Sequence, residues 1–146
     1  MKSIYLIIAS QDFEIANHKP LWIELASSSN KTLVVVDIPA DFIISPFRHK
    51  DRIKEARTGH RFITDNLIVV RPLLLARPEI LPDSIFKVVS IQFWKQIKKV
   101  IPDYLNYNIN LIVYDARWIK ILKGTHPFMK IAYYLFDEVR NNGKDN

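Results

Sequence analysis

The chain has 146 residues, 49% of them hydrophobic and 25% charged, which suffices for one domain with a sizeable core. It contains no cysteine, so disulfide scaffolds, thiol nucleophiles and cysteine-ligated zinc or iron–sulfur sites are excluded. A net charge of +6 favours anionic partners: nucleic acid, acidic lipid headgroups or phosphorylated small molecules.

The first apolar stretch, Ile4 to Ala9, is too short for a signal-peptide core and reads as a strand spanning Ser3 to Ala9. No run approaches the length of a transmembrane helix, so the expected location is cytoplasmic, with peripheral contact at the inner face of the membrane as an option. Pro20 fits a first helical turn, followed by Leu21, Trp22, Leu25 and Ala26 at helical spacing. Ser27 to Asn30 ends that helix, and Thr32 to Asp37 forms a second strand, completing a βαβ unit of about 35 residues. The segment from Ile38 to Asn66 is irregular, broken by Pro39 and Pro46, with a short basic helix expected over Asp51 to His60. Between Arg48 and Arg61 it carries Arg48, Lys50, Arg52, Lys54, Arg57 and Arg61 against only Asp51 and Glu55. Such a run fits a solvated face, or contact with phosphate or an anionic membrane.

Leu67 to Arg71 makes a third strand, stopped by Pro72. After a loop from Leu73 to Pro82, Asp83 or Ser84 can cap a helix running to Val100, with Phe86, Val89, Phe93, Ile97 and Val100 as its apolar stripe. Phe86, Phe93, Trp94 and Ile97 read as core. Lys95, Lys98 and Lys99 beside them also allow this helix to rest on an anionic membrane. Ile109 to Tyr114 is a fourth strand ending at Asp115, Arg117 to Leu122 a short helix closed by Gly124, and Lys130 to Phe136 a fifth strand running into Asp137 and Glu138. The alternation predicts a Rossmann-like three-layer α/β/α domain with a mostly parallel sheet.

Several chemistries can be tested on that frame. The turn after the first strand, Ser10 to Glu14, has no glycine, so the close backbone approach that a dinucleotide pyrophosphate needs is missing. Asp37 therefore lacks the partner motif of a ribose-binding acid. Asp137–Glu138 resembles a Walker B acid, but no phosphate loop exists in a chain with three glycines, which argues against an ATPase. The four histidines show no pair at metal-ligand spacing, so no metal is expected. His18 follows the first strand, where a sheet-edge ligand lies, and is a candidate general base. No nucleic-acid module fits.

The turn Ser10-Gln11-Asp12-Phe13, the stretch His18-Lys19-Pro20-Leu21-Trp22-Ile23-Glu24-Leu25-Ala26 and the strand Val34-Val35-Val36-Asp37-Ile38-Pro39 resemble the start of bacterial GT-B glycosyltransferases of the group 1/family 4 type. Asn66 to Pro72, Leu111 to Asp115 and Tyr133-Tyr134-Leu135-Phe136-Asp137-Glu138 are similar to that family's successive strands. In order, these segments cover nearly the whole chain. It departs from the family in a first loop without glycines and in Lys19 where arginine is common.

The resemblance implies the acceptor-side N-terminal domain of a metal-independent transferase over residues 1–138, with 139–146 as a polar tail or linker. The expected activity is sugar transfer from a nucleotide-sugar donor to a glycan or lipid-linked acceptor, as in cell-surface polysaccharide biosynthesis. A C-terminal domain absent from this chain would bind the donor, no other cofactor being implied, so the chain alone is expected to be inactive. Catalytic candidates on the cleft edge are then Asp12, His18 and Asp137. Ser10, Gln11, Phe13, Lys19, Asp115, Arg117 and Glu138 are candidate substrate contacts, and Arg48, Lys50, Arg52, Lys54, Arg57, Lys95, Lys98 and Lys99 candidate membrane or phosphate contacts. Two other classes stay open: a non-catalytic sugar- or partner-binding domain, and a membrane-docking domain.

Overall fold

Six strands form a sheet whose apolar runs explain their own burial: Val34, Val35 and Val36 are buried on both faces, as in any parallel sheet covered on both sides. The computed structural model describes residues 2–29, 31–42, 45–78 and 81–133. The main sheet comprises β1 (Ser3–Ile8), β2 (Thr32–Val36), β4 (His60–Thr64), β5 (Leu67–Val70), β7 (Asn108–Val113) and β8 (Met129–Tyr133) in the order β4-β5-β2-β1-β7-β8. All neighbours are parallel except β4, which pairs antiparallel with β5. A second, two-stranded parallel sheet joins β3 (Ala40–Asp41) to β6 (Leu73–Leu74).

Helix α1 (Lys19–Ser28) covers one face through Trp22 and Ala26, packed with Phe13, Ile7, Leu33, Val35, Leu67 and Val69. Leu21 and Leu25, expected on that stripe, are instead exposed: Trp22 and Ala26, four residues apart, face the sheet, and Leu21 and Leu25 lie one residue further round the helix. The amide of Asn66, in the β4–β5 turn, donates to the carbonyls of Ala26, Ser29 and Lys31 and so ties down the end of α1. On the other face, α4 (Phe86–Val100) and α5 (Ala116–Leu122) bury Val89, Phe93, Trp94, Ile97, Trp118, Ile121 and Leu122 against alternate residues of β1, β2, β5 and β7. This is the expected Rossmann-like α/β/α arrangement.

Two local expectations change. The helix start near residue 84 has no side-chain cap: a 3-10 turn over Asp83–Ile85 leads directly into α4, so neither Asp83 nor Ser84 serves as one. The irregular segment holds α2 (Ser45–Arg48), α3 (Lys50–Thr58), and the strands β3 and β4. The last strand is described over Met129–Tyr133, and the remainder of its expected span lies outside the described residues. Among the described residues no helix is long and apolar enough to cross a membrane.

Candidate functional site

Strand order reverses between β1 and β7: the chain leaves β1 toward β2 and β5 on one side, then crosses to β7 and β8 on the other. Such a switch point opens a crevice at the carboxyl ends of the two strands, where ligands of open α/β sheets bind. Here it is lined by Ala9, Ser10, Gln11, Ala16, Asn17, His18, Trp22 and Tyr114. Its free volume is about 10 Å³, room for about one water.

Its walls come from the two sides of the switch. His18 stands immediately before α1, and its Nδ1 lies 3.0 Å from the Tyr114 hydroxyl, which follows β7. The imidazole also meets the edge of the Trp22 ring, with centroids 6.2 Å apart. Ser10 is exposed at the rim, and Gln11 Oε1 accepts from the Asn17 backbone N–H at 3.3 Å. Phe13 is only 1% exposed and stacks on Trp22, so its ring belongs to the core and offers no face to a substrate, contrary to its place among the expected contacts. Lys19 lies over the Phe13 ring and donates to Glu14 at 2.9 Å. That bond, with attraction from Lys19 and Arg61, holds the Glu14 carboxyl below its usual value.

The Asp12 carboxylate is held between two neighbouring segments. Its Oδ1 accepts from the Ile38 backbone N–H at 3.0 Å and from Arg71 Nη1 at 3.0 Å, while Arg52 lies 4.0 Å from Oδ2. Arg71, 8% exposed, also donates to Glu55 at 2.7 Å and to the Ile38 carbonyl at 2.6 Å, and lies 3.6 Å from Asp37. Asp37 in turn accepts from the Phe13 N–H at 2.8 Å. Burial pushes the Asp37 carboxyl up, against the Phe13 hydrogen bond and Arg71. For Arg71 burial acts downward, but the hydrogen bonds and attraction of Asp12, Asp37 and Glu55 win and hold it above its ordinary value. The result is a polar clamp joining the ends of β1, β2 and β5.

Asp115 accepts from the Arg117 N–H at 2.9 Å and caps α5. Arg117 donates to the Pro78 carbonyl at 3.1 Å and thereby ties α5 to the loop after β6. Asp137 and Glu138 lie outside the described residues. The expected phosphate or membrane contacts divide. Arg48, Lys50, Arg52, Lys54 and Arg57 lie on α2 and α3 beside the carboxyl edge. Lys99 shares a depression with Arg57, His60, Arg71 and Gln96, whereas Lys95 and Lys98 line a groove with Trp94 and Tyr104. The indole of Trp94 is core and bonds Thr125 at 2.8 Å.

No family model matches this chain, and no curated protein matches it at a significant level. Among the described residues, no group of three or more His, Asp or Glu side chains converges as a metal centre. Tyr114 and Arg71 were not among the expected site residues. Tyr114 had one usable signal, its position as the last residue before Asp115 at a strand's carboxyl end; Arg71 had another, a cation closing an otherwise apolar strand.

Proposed function

We propose that this domain holds the acceptor of a sugar transfer, with the acceptor hydroxyl entering the crevice between β1 and β7. The observation that carries this reading is the His18–Tyr114 contact at 3.0 Å in the switch-point crevice, together with a first turn that has no glycine to admit a dinucleotide pyrophosphate. Sugar transfer needs a base that removes the proton of the attacking hydroxyl. With Asp12 committed to Ile38 and Arg71, His18 is the better base among the described candidates. The role requires the tautomer in which Nδ1–H donates to the Tyr114 oxygen, so that Nε2 carries the lone pair. Tyr114 then orients the ring. Ser10 and Gln11 at the rim supply hydroxyl and amide groups suited to sugar hydroxyls, and the donor belongs to a partner domain. Because the crevice admits only about one water, acceptor binding must displace the Ser10–Gln11 turn while Tyr114 stays on His18.

Titrating the isotope-labelled chain with soluble glycans, short-chain lipid-linked sugar analogues, nucleotide sugars and nicotinamide dinucleotides tests this. Saturable amide shifts at Ser10, His18 and Tyr114 are expected with an acceptor class alone, weakened in Tyr114→Phe. Saturation of the same residues by a dinucleotide, or by no sugar-bearing ligand at all, would overturn the reading.

A further inference from the structure

The cationic segment that follows β3 has a structure its composition does not reveal. Asp41 ends β3 and is fully buried; Leu74 ends β6, its parallel neighbour, and Arg77 follows three residues later. Arg77 Nε lies 3.2 Å from Asp41 Oδ2. Yet Nε and Nη2 of Arg77 are buried without a properly aligned hydrogen-bond acceptor among the described residues. A buried guanidinium donor without an aligned acceptor is unfavourable, so an acceptor is called for.

The neighbours supply more positive charge than Asp41 cancels, although Arg52 also lies 4.0 Å from Asp12 and shares its helix with Asp51 and Glu55. Asp41 also organises α2, its Oδ1 accepting from the Ser45 N–H at 3.3 Å while Ser45 Oγ accepts from the Asp41 N–H at 3.0 Å. Arg48, at the end of α2, and His49, directly before α3, follow within four residues of Ser45, and the charges of Arg77 and Asp41 both act on the His49 ring. Arg52 follows one turn along, its N–H donating to the His49 carbonyl at 3.1 Å. Helix α3 starts without a side-chain cap, His49 making none, so the positive end of its nine-residue dipole adds to the field. Partial burial together with Arg52, Arg77 and Arg48 pushes the His49 imidazole below its usual value, and Asp41 only partly offsets them. The local field is therefore positive in spite of the buried carboxylate.

We propose that Arg77, Arg52, Arg48 and His49, with the open start of α3, form a binding site for a phosphate or diphosphate group. A carboxylate satisfies one guanidinium fork; a tetrahedral polyanion offers enough oxygens for several forks and for the helix start together. The site is separate from the β1–β7 crevice and stands independently of the acceptor reading. Phosphate of this kind can come from a soluble phosphorylated compound or from a lipid headgroup. Phe47, 85% exposed on α2 next to Arg48, gives the second source an apolar foothold at the same place.

The test uses the full chain, isotope-labelled, titrated with pyrophosphate and, at matched ionic strength, with sodium chloride. Expected are saturable shifts of the His49 ring and of the Lys50 to Arg52 amides with pyrophosphate alone, and a rise of the His49 titration midpoint on saturation. Arg48→Gln and Arg52→Gln should each weaken binding about tenfold, while the pair Lys95→Gln and Lys98→Gln on α4 leaves it unchanged. Arg77→Lys keeps a charge for Asp41 but removes the fork, and should lose affinity while remaining folded; if it unfolds, the Arg48 and Arg52 variants decide. Vesicles of neutral lipid, with and without phosphatidate, separate the sources. Saturation by soluble pyrophosphate without vesicle preference, or a His49 response confined to phosphatidate vesicles, each supports the site and names its source. Equal response to chloride, no saturable response to either probe, or equal weakening by the Lys95 and Lys98 changes would overturn it.

Discussion

Arg71 joins segments that are distant in sequence: its guanidinium reaches Asp12 after β1, Asp37 and Ile38 after β2, and Glu55 on α3. Removing one member of a buried ionic cluster leaves the other charges unpaired, which costs more than the cluster contributes over an apolar substitute. Arg71→Met is expected to lower stability by about 3 kcal/mol in urea unfolding. Glu55→Gln should cost less than about 1 kcal/mol, because the Glu55 carboxylate is largely solvated. The pH dependence has a definite sign. Asp37 has a raised folded pKa, so its contribution to stability is present below the ordinary carboxyl value and is lost as pH rises through the raised one. Arg71 opposes that rise, so its removal lifts Asp37 further. The deficit of Arg71→Met should then shrink as pH falls toward the ordinary carboxyl value and grow as pH rises through the raised one; a deficit that does not change with pH would show that Asp37 carries no part of it. Asp12 was legible as an acid in a sheet-edge turn. Its partner 59 residues away was not, since nothing local in the chain records which cation the fold brings back.

Helix α4 does two jobs, and only one of them shows in its pattern. The apolar stripe through Val89, Phe93 and Ile97 is visible at helical spacing and is buried. Gln96 and Gln92 carry no such signal, yet they substitute for a neighbouring strand. Gln96 Oε1 accepts from the Leu73 N–H at 2.6 Å, its Nε2 donates to the Leu73 carbonyl at 2.7 Å, and Gln92 Oε1 accepts from the Leu75 N–H at 2.9 Å. Gln96→Met should leave both polar groups of Leu73 unmet and cost about 2–4 kcal/mol, whereas Gln92→Met should cost about 1 kcal/mol or less because Leu75 is exposed. Thermal unfolding of the two variants measures the difference, and faster exchange of the Leu73 amide in Gln96→Met locates it. Strands β1, β2, β5 and β7 were readable because each is a run of apolar residues, largely β-branched. The two-residue strands β3 and β6 fall below any periodic pattern. In β4, His60 to Thr64 is mostly exposed and polar, which suits an edge that must resist pairing with another chain but hides it among loop residues.

Across the whole molecule, order in the sheet sets both rigidity and the placement of the two candidate sites. β2 and β1 have strands on both sides and helices on both faces, while β4 and β8 are the outer strands. The crevice at Tyr114 and His18 is anchored to the central β1 and to β7; the cationic site rests on the small β3–β6 sheet and on α2 and α3 at its flank. The alternation of elements made the α/β class legible, but strand order and the reversal that opens the crevice depend on which side each crossover takes. Local sequence does not encode that choice. Native-state hydrogen exchange can follow the consequence. Amides of Leu6, Val34 and Val35 should exchange only through global unfolding, and those of His60–Thr64 and Met129–Tyr133 through local opening at far lower free energy. Ligands should then separate the sites by the elements they protect. Pyrophosphate should slow exchange in α3 and around Ala40 and Leu73 with little effect on Tyr114, because its contacts lie on the flank and the central strands are already at the global limit. An acceptor sugar should do the reverse, slowing the turn from Ser10 to His18 and the backbone at Tyr114. If one ligand protects both regions equally, the two sites are coupled through the Asp12–Arg71 clamp that lies between them, and Arg71→Met should abolish that coupling.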